Sequence, residues 1–407
     1  MGGGSPGIEI VDASKDRLAR FAISLLSLSS NVSSAGMMAV SPKRDRTLVF
    51  SPGDNRLAVV ANAQESVSGS FPLQGPSESF FVWTDNVTAF AAVPSTSIAG
   101  EAPGAVKRLD ISAGQITATI PIPGAHTVVP SPDGTVILVF SDNSDSVTLL
   151  RPSLIGTAGQ SSTQVPCSST PVAACTITGT FDRPTGAVFN SSGTTAYVLN
   201  CGQRCGGTNA GACLTFTSCT TVSLLDMTQT PPVPGNSIAV PAATVALLQG
   251  NSLYVAGTPV SAPDNDCSGV STAATTCGRL TVVDVAAMTA ATPVAITDGF
   301  PNRMQMGSNG QLFIGARGCT NVNISGGEVR GCLSIVNTTA GVAQAGVIAP
   351  QDNGDVTGIE PIPNRNVVYV CEGGRLRIYD TTTDSLEKLT TAPVIAGQAV
   401  DVKMVDF

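Results

Sequence analysis

The chain has 407 residues, a formal net charge of −8 and a charged fraction of only 12%. The negative charge argues against nucleic-acid binding, which depends on clustered Lys and Arg side chains that displace counterions. The sequence contains no run of about 18 apolar residues, so it predicts no membrane-spanning helix. The 42 Gly and 27 Pro residues alternate with short segments rich in Val, Ile and Thr, a composition typical of β-strands joined by turns. The sequence therefore predicts an all-β protein.

The N-terminal region is predicted to contain two strands within residues 8–28, after the loop-like opening MGGGSPG. Because this opening resembles an interrupted loop between strands, we expect further sequence upstream. The apolar stretch FAISLLSL, from Phe21 to Leu28, could be a signal-peptide core. It lies far from Met1 and behind the acidic residue Asp16, so an outer strand and its loop is the favoured interpretation.

A strand marker recurs eight times along the chain. Each copy is a run of alternating apolar residues ending in Asp or a substitute; the copies end at Asp12, Ala61, Asp110, Arg151, Asp226, Asp284, Asn337 and Asp380. An Asp or Asn side chain at this point can hydrogen-bond to the backbone two residues on and fix a tight turn into a second strand. Between these pairs lies another strand pair joined by polar turns such as SPDG, SSG and SNG, which suit hairpins.

The order of these strands predicts a single β-propeller over residues 1–407. With strands labelled a to d, the chain contains strands c and d at 8–28, seven a–b–c–d modules at 36–391, and a closing strand a at 399–407. Short modules that cannot bury both faces alone are typical of propellers. Pairing of the terminal strands in a closing blade gives eight blades and removes the free sheet edge. Seven blades with accessory terminal strands is one alternative, and a stack of separate sandwiches is another.

The segments TAYVLN, SLYVAG and VVYVCE, together with SPDGT and the marker LTVVD, resemble the YVTN-type β-propeller repeat. The resemblance covers nearly the whole chain, but it concerns the repeat only. It implies a scaffold shared by lactonase-like proteins, surface-layer modules and other exported propellers. It implies no particular chemistry, because the Tyr and Val residues of the motif belong to the blade core.

Ten of the 11 cysteines lie between residues 167 and 332 as close sequence neighbours. This pattern is typical of disulfides in an oxidising compartment, so we expect a secreted, cell-surface or periplasmic protein. The simplest pairing joins neighbours: Cys167–Cys175, Cys201–Cys205, Cys213–Cys219, Cys267–Cys277 and Cys319–Cys332. A zinc site formed by the second and third of these pairs is the alternative, but it lacks the standard C-x2-C spacing. Cys371, inside an apolar strand, is left as a buried free thiol.

The long loops are predicted to share one face of the ring. Because neighbouring strands of a blade run antiparallel, the b–c and d–a connections emerge on one face and the a–b and c–d turns on the other. The long b–c loops, residues 201–221, 258–278 and 318–331, contain most of the cysteine pairs, and one long c–d region lies around 152–175. Ordered loops on a rigid scaffold are common places for binding sites.

The d–a connections bring a polar set of mixed charge to the mouth of the central channel on the same face. The set is Ser77, Glu78, His126, Asp182, Arg183, Asn302, Arg303 and Asp355. Convergent polar groups of this kind suit a ligand-binding funnel. The alternative is that these residues only solvate the rim or connect neighbouring blades.

His126 is the only histidine of the chain, which excludes a His-rich metal centre. Beside Asp182 or Glu78 it could act as a general base, although a hydrogen-bonded residue at the end of an inner strand is the simpler interpretation. No G-x-S-x-G motif offers a serine nucleophile. Catalysis is therefore not predicted.

Two acidic clusters could supply oxygen ligands to calcium: Asp142 with Asp145, and Asp264 with Asp266. Neither matches the EF-hand pattern, and polar loop tips are the simpler interpretation. No cofactor is therefore predicted, and calcium binding at these clusters is the alternative.

These features favour an exported, monomeric, non-enzymatic binding or scaffold propeller whose ligand site lies on the disulfide-stapled face. Its partner would be an envelope protein, a glycan or a small molecule. The alternative is a lactonase-like hydrolase that uses the same channel mouth, with His126 and Asp182 as catalytic residues and a divalent ion as a possible aid.

Overall fold

The chain forms a β-propeller with seven blades arranged in a ring. A computed structural model describes residues 7–19, 22–25, 35–156, 165–208, 220–260, 277–320, 331–338, 342–345, 354–383, 385–386 and 393–405. In each blade, strands a to d pair antiparallel in chain order. Blade 3 has one further strand, which pairs parallel with its strand d, and in blade 5 strand d is split into two short strands. The predicted all-β propeller fold is confirmed.

Each of the seven blades contains four strands in chain order. Strands a to d are, for blade 1, Met38–Val40, Arg46–Ser51, Arg56–Ala61 and Ser66–Pro72; for blade 2, Ser79–Val82, Thr88–Val93, Ala105–Asp110 and Gln115–Pro121; and for blade 3, Ala125–Pro130, Ile137–Ser141, Ser146–Leu150 and Ala174–Thr178, with Val165–Pro166 outside. They are, for blade 4, Pro184–Phe189, Thr195–Asn200, Thr220–Asp226 and Val233–Val240, and for blade 5, Val245–Gln249, Ser252–Gly257, Gly278–Asp284 and the split strand Thr289–Ala290 and Val294–Ile296. They are, for blade 6, Phe300–Met306, Gln311–Arg317, Leu333–Asn337 and Val342–Ala345, and for blade 7, Val356–Ile362, Val367–Glu372, Arg375–Asp380 and Ser385–Leu386. Two short 3-10 helices, Pro152–Leu154 and Gly202–Cys205, lie in connections.

The core lies between the blades, which explains why the b strands read as continuous apolar runs. In strand b of blade 2 every residue is buried, because each blade is covered by a neighbour on both sides. Successive residues alternate between the two interfaces: Ala91 packs with Leu57 of blade 1, whereas Phe90 packs with Val139 of blade 3. The two-residue period of a strand thus fills two cores at once.

The marker Asp residues make the turn that their position predicts. The Asp110 carboxylate accepts hydrogen bonds from the backbone N–H of Ser112 at 2.9 Å and of Ala113 at 2.8 Å. Bonds from the Ser112 hydroxyl and these amides hold the pKa of Asp110 below its usual value. The same turn forms at Asp12, Asp226, Asp284 and Asp380. The marker carboxylate thus fixes the c–d turn by accepting hydrogen bonds from the backbone amides that follow it.

The N-terminal strands lie between blade 7 and blade 1. They form two short pairs, Gly7–Ile8 with Ile23–Ser24 and Val11–Asp12 with Arg17–Leu18. Ile23 packs on blade 1 and Val11 packs on blade 7. The turn between the strands is held by the Asp16 carboxylate, which accepts hydrogen bonds from both terminal nitrogens of Arg365 in blade 7, at 2.6 and 2.8 Å.

Residues 399–405, for which a closing strand a is expected, carry no strand assignment. They nevertheless cross from blade 7 to blade 1: a Cβ placed on Gly358 would lie 2.8 Å from the Val402 nitrogen, and the Asp401 carboxylate accepts a hydrogen bond from the Met38 N–H at 2.9 Å. The segment thus occupies the position of an inner strand without its hydrogen-bond ladder. An eighth four-stranded blade is not formed by the described residues.

Three of the five expected disulfides are present: Cys167–Cys175, Cys201–Cys205 and Cys319–Cys332. Cys277 is also disulfide-bonded, but Cys213, Cys219 and Cys267 lie outside the described residues, so their pairing stays a prediction. Cys371 is free and buried, and burial raises the pKa of its thiol to about 12.

Because of this burial we expect the Cys371 thiol to be unreactive in the folded protein. Since the thiolate is the reactive form and the pKa lies near 12, we expect no labelling by iodoacetamide at pH 8 in the native state. Labelling in denaturant without reductant should give one thiol per chain, measured by intact mass. Fast labelling of the native protein, or more than one thiol in denaturant, would contradict this expectation.

Ring closure at Asp401 should be measurable as stability. Because the Asp401 side chain is 1% exposed and accepts two backbone amides, from Met38 and Val402, we expect Asp401→Asn to lower the free energy of unfolding by about 1–3 kcal/mol. Chemical denaturation would measure it. The matched control is Lys403→Gln, which removes a partly exposed ion partner of Asp401 and should cost less than about 1 kcal/mol. Equal effects of the two variants would refute the closure role.

Candidate functional site

The described parts of the long loops lie on the face where strands b end and strands a begin. The Cys201–Cys205 disulfide closes the start of the b–c loop in blade 4, and Cys319–Cys332 spans the b–c loop of blade 6. The loop segments 209–219, 261–276 and 321–330 lie outside the described residues. The disulfide Cys167–Cys175 instead joins the outer strand Val165–Pro166 to strand d of blade 3.

Carboxylates ahead of strand a anchor these stapled loops. Asp182 is 7% exposed, and its Oδ1 accepts a hydrogen bond from the Thr208 N–H at 3.2 Å. The loop packs tightly on this carboxylate, since a Cβ on Gly207 would lie 2.1 Å from the same oxygen. Asp298 does the same in blade 6, accepting the Thr320 N–H at 2.7 Å. Sequence reasoning missed Asp298, although its place two residues before strand a matches that of Asp182.

Two further contacts of this kind join neighbouring blades. Asp355, before strand a of blade 7, accepts the N–H of Gly318 in the loop of blade 6 at 2.7 Å. Asp145, in the b–c turn of blade 3, accepts the N–H of Arg183 at 3.1 Å and lies 3.6 Å from its guanidinium. Asp182, Asp355 and Arg183 therefore act in part as loop and blade contacts, the alternative that the sequence left open.

His126 contacts Asp142, and not the expected Asp182 or Glu78. Its Nδ1 lies 2.8 Å from Asp142 Oδ1, and the two side chains are 44% and 53% exposed. The pair forms because strands a and b of blade 3 place Ala125 opposite Ser141. Asp142 and Asp145, considered as calcium ligands, thus contact the His126 imidazole and the Arg183 backbone and guanidinium.

The start of the innermost strand carries a β-bulge in four blades. The register shift skips His126 in blade 3, Thr185 in blade 4, Asn302 in blade 6 and Thr357 in blade 7. A bulge leaves one residue outside the ladder and redirects its side chain, and bulges are frequent next to binding sites. The four residues are equivalent by position and lie at the channel mouth. The polar sequence pattern indicated His126 and Asn302, but nothing in it distinguished the two threonines.

Arg303, next to one bulge, connects blade 6 to blade 7 at the channel wall. Its Nε donates to the carbonyl of Thr357 in blade 7 at 3.0 Å. Burial lowers the pKa of this guanidinium, while the charges of Asp401 and Glu78 act in the opposite direction and that of Arg317 adds to the decrease. Glu78 itself is exposed. Residues from blades 2 and 6 and from the C-terminal segment therefore share one electrostatic environment.

Buried polar atoms without a hydrogen-bond partner lie on this face in several blades. In blades 4 to 6 they are Arg183 Nε, Thr185 Oγ1, Thr258 Oγ1, Asn302 Oδ1 and Arg317 Nε, at the end of strand b or the start of strand a, and in blade 1 they include Ser51 Oγ and both carboxylate oxygens of Asp54. Unpaired buried polar groups cost free energy, so each marks a place where a ligand could supply a missing bond. Thr258 and Arg317 were not predicted.

The described residues show no built metal centre. Within them, no group of three or more His, Cys, Asp or Glu side chains could hold a metal ion. Asp264 and Asp266 lie outside them. In the same ranges no helix is long and apolar enough to cross a membrane.

Known structures with the same architecture are β-propellers of diverse function. The Dos1 propeller matches with a TM-score of 0.62 at 10% identity over 97% of this chain and 88% of that one. Hydrazine synthase of Kuenenia stuttgartiensis matches with 0.53 at 12% over 89% and 95%, and the dihydro-heme d1 dehydrogenase NirN with 0.55 at 12% over 87% and 65%. No family model matches the chain, and no curated protein matches it. These similarities show the fold alone: the protein is a β-propeller.

The loop anchor at Asp298 provides a local test of the site. Removing its carboxylate leaves the Thr320 N–H and hydroxyl without acceptors, so Asp298→Ala should speed hydrogen exchange at Thr320 about tenfold, equivalent to about 1.4 kcal/mol. The matched control is Asp284→Ala, which removes two backbone bonds from a c–d turn on the opposite face. Its effect should stay at residues 286 and 287. Unchanged exchange at Thr320 would contradict the anchoring role.

Proposed function

We propose that this propeller is an exported, non-enzymatic binding or scaffold module, with its ligand site at the channel mouth on the stapled face. The observation that carries the proposal is the set of unpartnered buried atoms at Thr185, Asn302, Arg183 and Arg317. A site built for a polar ligand leaves such atoms open until the ligand arrives, because their unmet hydrogen bonds then become specificity.

The chemistry of this sector favours an anionic ligand. Four arginines contribute to it, Arg183, Arg204, Arg303 and Arg317, in a chain whose net charge is −8. Arg204 extends from the stapled loop of blade 4 towards Gly299, ahead of blade 6, and its Nη2 lies 3.5 Å from the Gly299 carbonyl oxygen. Guanidinium groups bind carboxylates and phosphates through paired, charge-assisted hydrogen bonds. A small carboxylate- or phosphate-bearing molecule, or an acidic glycan, fits this arrangement.

The compartment and family parts of the proposal rest on sequence and disulfides. Three disulfides support an oxidising, extracellular or periplasmic location. The resemblance of the repeat to the YVTN type supports an exported propeller. The proposed partner is therefore an envelope component or a small molecule that meets the protein outside the cytoplasm.

A lactonase-like hydrolase is the second candidate, and the His126–Asp142 pair is the observation in its favour. A carboxylate at 2.8 Å from Nδ1 can orient an imidazole as a general base. Its expected partner Asp182, however, accepts the Thr208 amide. For this candidate, His126→Ala should abolish hydrolysis of a lactone or ester substrate with melting unchanged; absence of turnover in a broad screen, with and without calcium, would reject it.

The binding proposal predicts a specific loss on removing one arginine. Titration calorimetry with inorganic phosphate and with succinate should detect binding of at least one anion, and Arg317→Gln should weaken it about tenfold, since one charge-assisted hydrogen bond contributes about 1.5–3 kcal/mol. The matched control is Arg17→Gln, an exposed arginine on the N-terminal strands, which should leave affinity unchanged. Equal losses in the two arginine variants would indicate nonspecific charge attraction and refute the site.

A further inference from the structure

The start of strand a in blade 6 combines an exposed aromatic ring with a guanidinium. Phe300, the first residue of the strand, is 40% exposed, and it lies directly opposite Arg317 at the end of strand b. Side chains of residues that face each other in an antiparallel pair lie on the same side of the sheet, with Cβ atoms about 4.5–5.5 Å apart. A single exposed apolar residue is ordinary, but the cross-strand neighbour here is an arginine of the proposed anion site.

Arg317 keeps an open donor beside this ring. In the described part of the chain its Nε is buried and has no hydrogen-bond partner. Burial lowers the pKa of Arg303, and the like charge of Arg317 adds to the decrease. A second guanidinium, that of Arg204, reaches the carbonyl of Gly299, the residue before Phe300. A carboxylate at Arg317 would accept the open Nε–H and offset the repulsion between the guanidinium groups.

Asn302, two residues along the same strand, contributes an open acceptor. Its Oδ1 is buried and has no partner among the described residues. Asn302 lies in the β-bulge between Pro301 and Arg303, which takes it out of the ladder and redirects its side chain. Because an amide oxygen only accepts hydrogen bonds, the anionic group that Arg317 binds cannot satisfy it. A ligand that satisfies both side chains must carry a hydrogen-bond donor as well as an anionic group.

The backbone that carries these side chains is held on both sides. Gly299 packs against strand b so closely that a Cβ on it would lie 2.4 Å from the Arg317 carbonyl oxygen. The Pro301 carbonyl accepts a hydrogen bond from the Thr244 hydroxyl of blade 5 at 2.7 Å. A site held in this way keeps its groups in place before a ligand binds, which reduces the ordering cost of binding.

The spacing of the three side chains limits the size of the ligand. Because residues of a strand advance by about 3.3 Å each, Phe300 and Asn302 lie within about 7 Å of each other along the strand, and Arg317 faces the first of them. A molecule that contacts all three must therefore place its apolar group, its anionic group and its donor close together. A hydroxyl on the carbon next to a carboxylate, with an aromatic ring attached one carbon further on, meets this requirement.

We infer that this part of the channel mouth binds a small 2-hydroxy carboxylic acid with an aromatic group. The carboxylate accepts a hydrogen bond from Arg317 Nε, the hydroxyl donates to Asn302 Oδ1, and the ring packs on Phe300, as aromatic pairs favour. The inference rests on the proposed function, because it names the ligand class of the same site. Each group of the ligand contacts one side chain, so each contact can be removed from either partner.

The ligand side is tested with acids that lack one group at a time. Titration calorimetry with the separate enantiomers of 3-phenyllactate should show saturable binding of at least one of them to the intact chain. Lactate, which lacks the ring, and 3-phenylpropanoate, which lacks the hydroxyl, should each bind at least about fivefold more weakly. An affinity for either of these two acids equal to that for phenyllactate would overturn the inference.

The protein side is tested with two variants, both checked for an intact fold by thermal melting. Phe300→Ala should remove the advantage of phenyllactate over lactate and leave the affinity for lactate unchanged. The matched control Val233→Ala shortens an exposed apolar side chain on the outer strand of blade 4 and should keep that advantage. In Asn302→Leu the advantage of phenyllactate over 3-phenylpropanoate should disappear, with 3-phenylpropanoate bound as before. A preference that persists in the corresponding folded variant would contradict the assigned contact.

Failure of the inference and failure of the proposed function give different results. Binding of phosphate or succinate that depends on Arg317, without a preference for phenyllactate over lactate, rejects the ligand class and keeps the anion site. Absence of binding for every anion tested, or equal losses in Arg317→Gln and Arg17→Gln, rejects both.

Discussion

Closure of the ring between blade 7 and blade 1 is the constraint on which the rest of this structure depends. A blade has two apolar faces, and each is buried only when both neighbours are present. Six of the interfaces follow from chain order, but the seventh joins the two ends of the repeat. Here the buried Asp401 carboxylate binds the Met38 amide while its segment crosses Gly358, and the Asp16–Arg365 pair fixes the N-terminal strands from the other side. Polar contacts at the termini thus hold together an otherwise apolar set of interfaces.

A closed ring fixes the strand ends, and this explains which side chains on the loop face hold loops and blades and which keep unpaired atoms. Asp182 and Asp298 each hold a stapled loop through a backbone amide, and Asp355 ties one blade to the next. With the carboxylates engaged in this way, Arg317 and Asn302 retain buried atoms without partners. The unpaired atoms of the sector therefore lie beside carboxylates whose hydrogen bonds are already used to hold loops and blades.

The sequence was sufficient for features with a local cause. The Asp110 type of marker specifies its own turn within three residues, and the two-residue period of strand b in blade 2 assigns Phe90 and Ala91 to different cores. Contacts that depend on strand register could not be predicted from the sequence: His126 contacts Asp142 because two strands align Ala125 with Ser141. The bulges at Thr185 and Thr357 were likewise unpredictable, because a one-residue shift in pairing leaves no compositional trace. Arg317 was missed because the end of strand b looks like any polar strand end until neighbouring blades surround it.

Ring closure also bears on the charge at the channel mouth. The carboxylates of Asp401 and Glu360 hold the amides of Val402 and Met404 in a segment that lacks a strand ladder. Asp401 also contributes to the electrostatic environment of Arg303. The carboxylate that closes the ring between blade 7 and blade 1 therefore acts on the arginine that lies beside the bulge of blade 6.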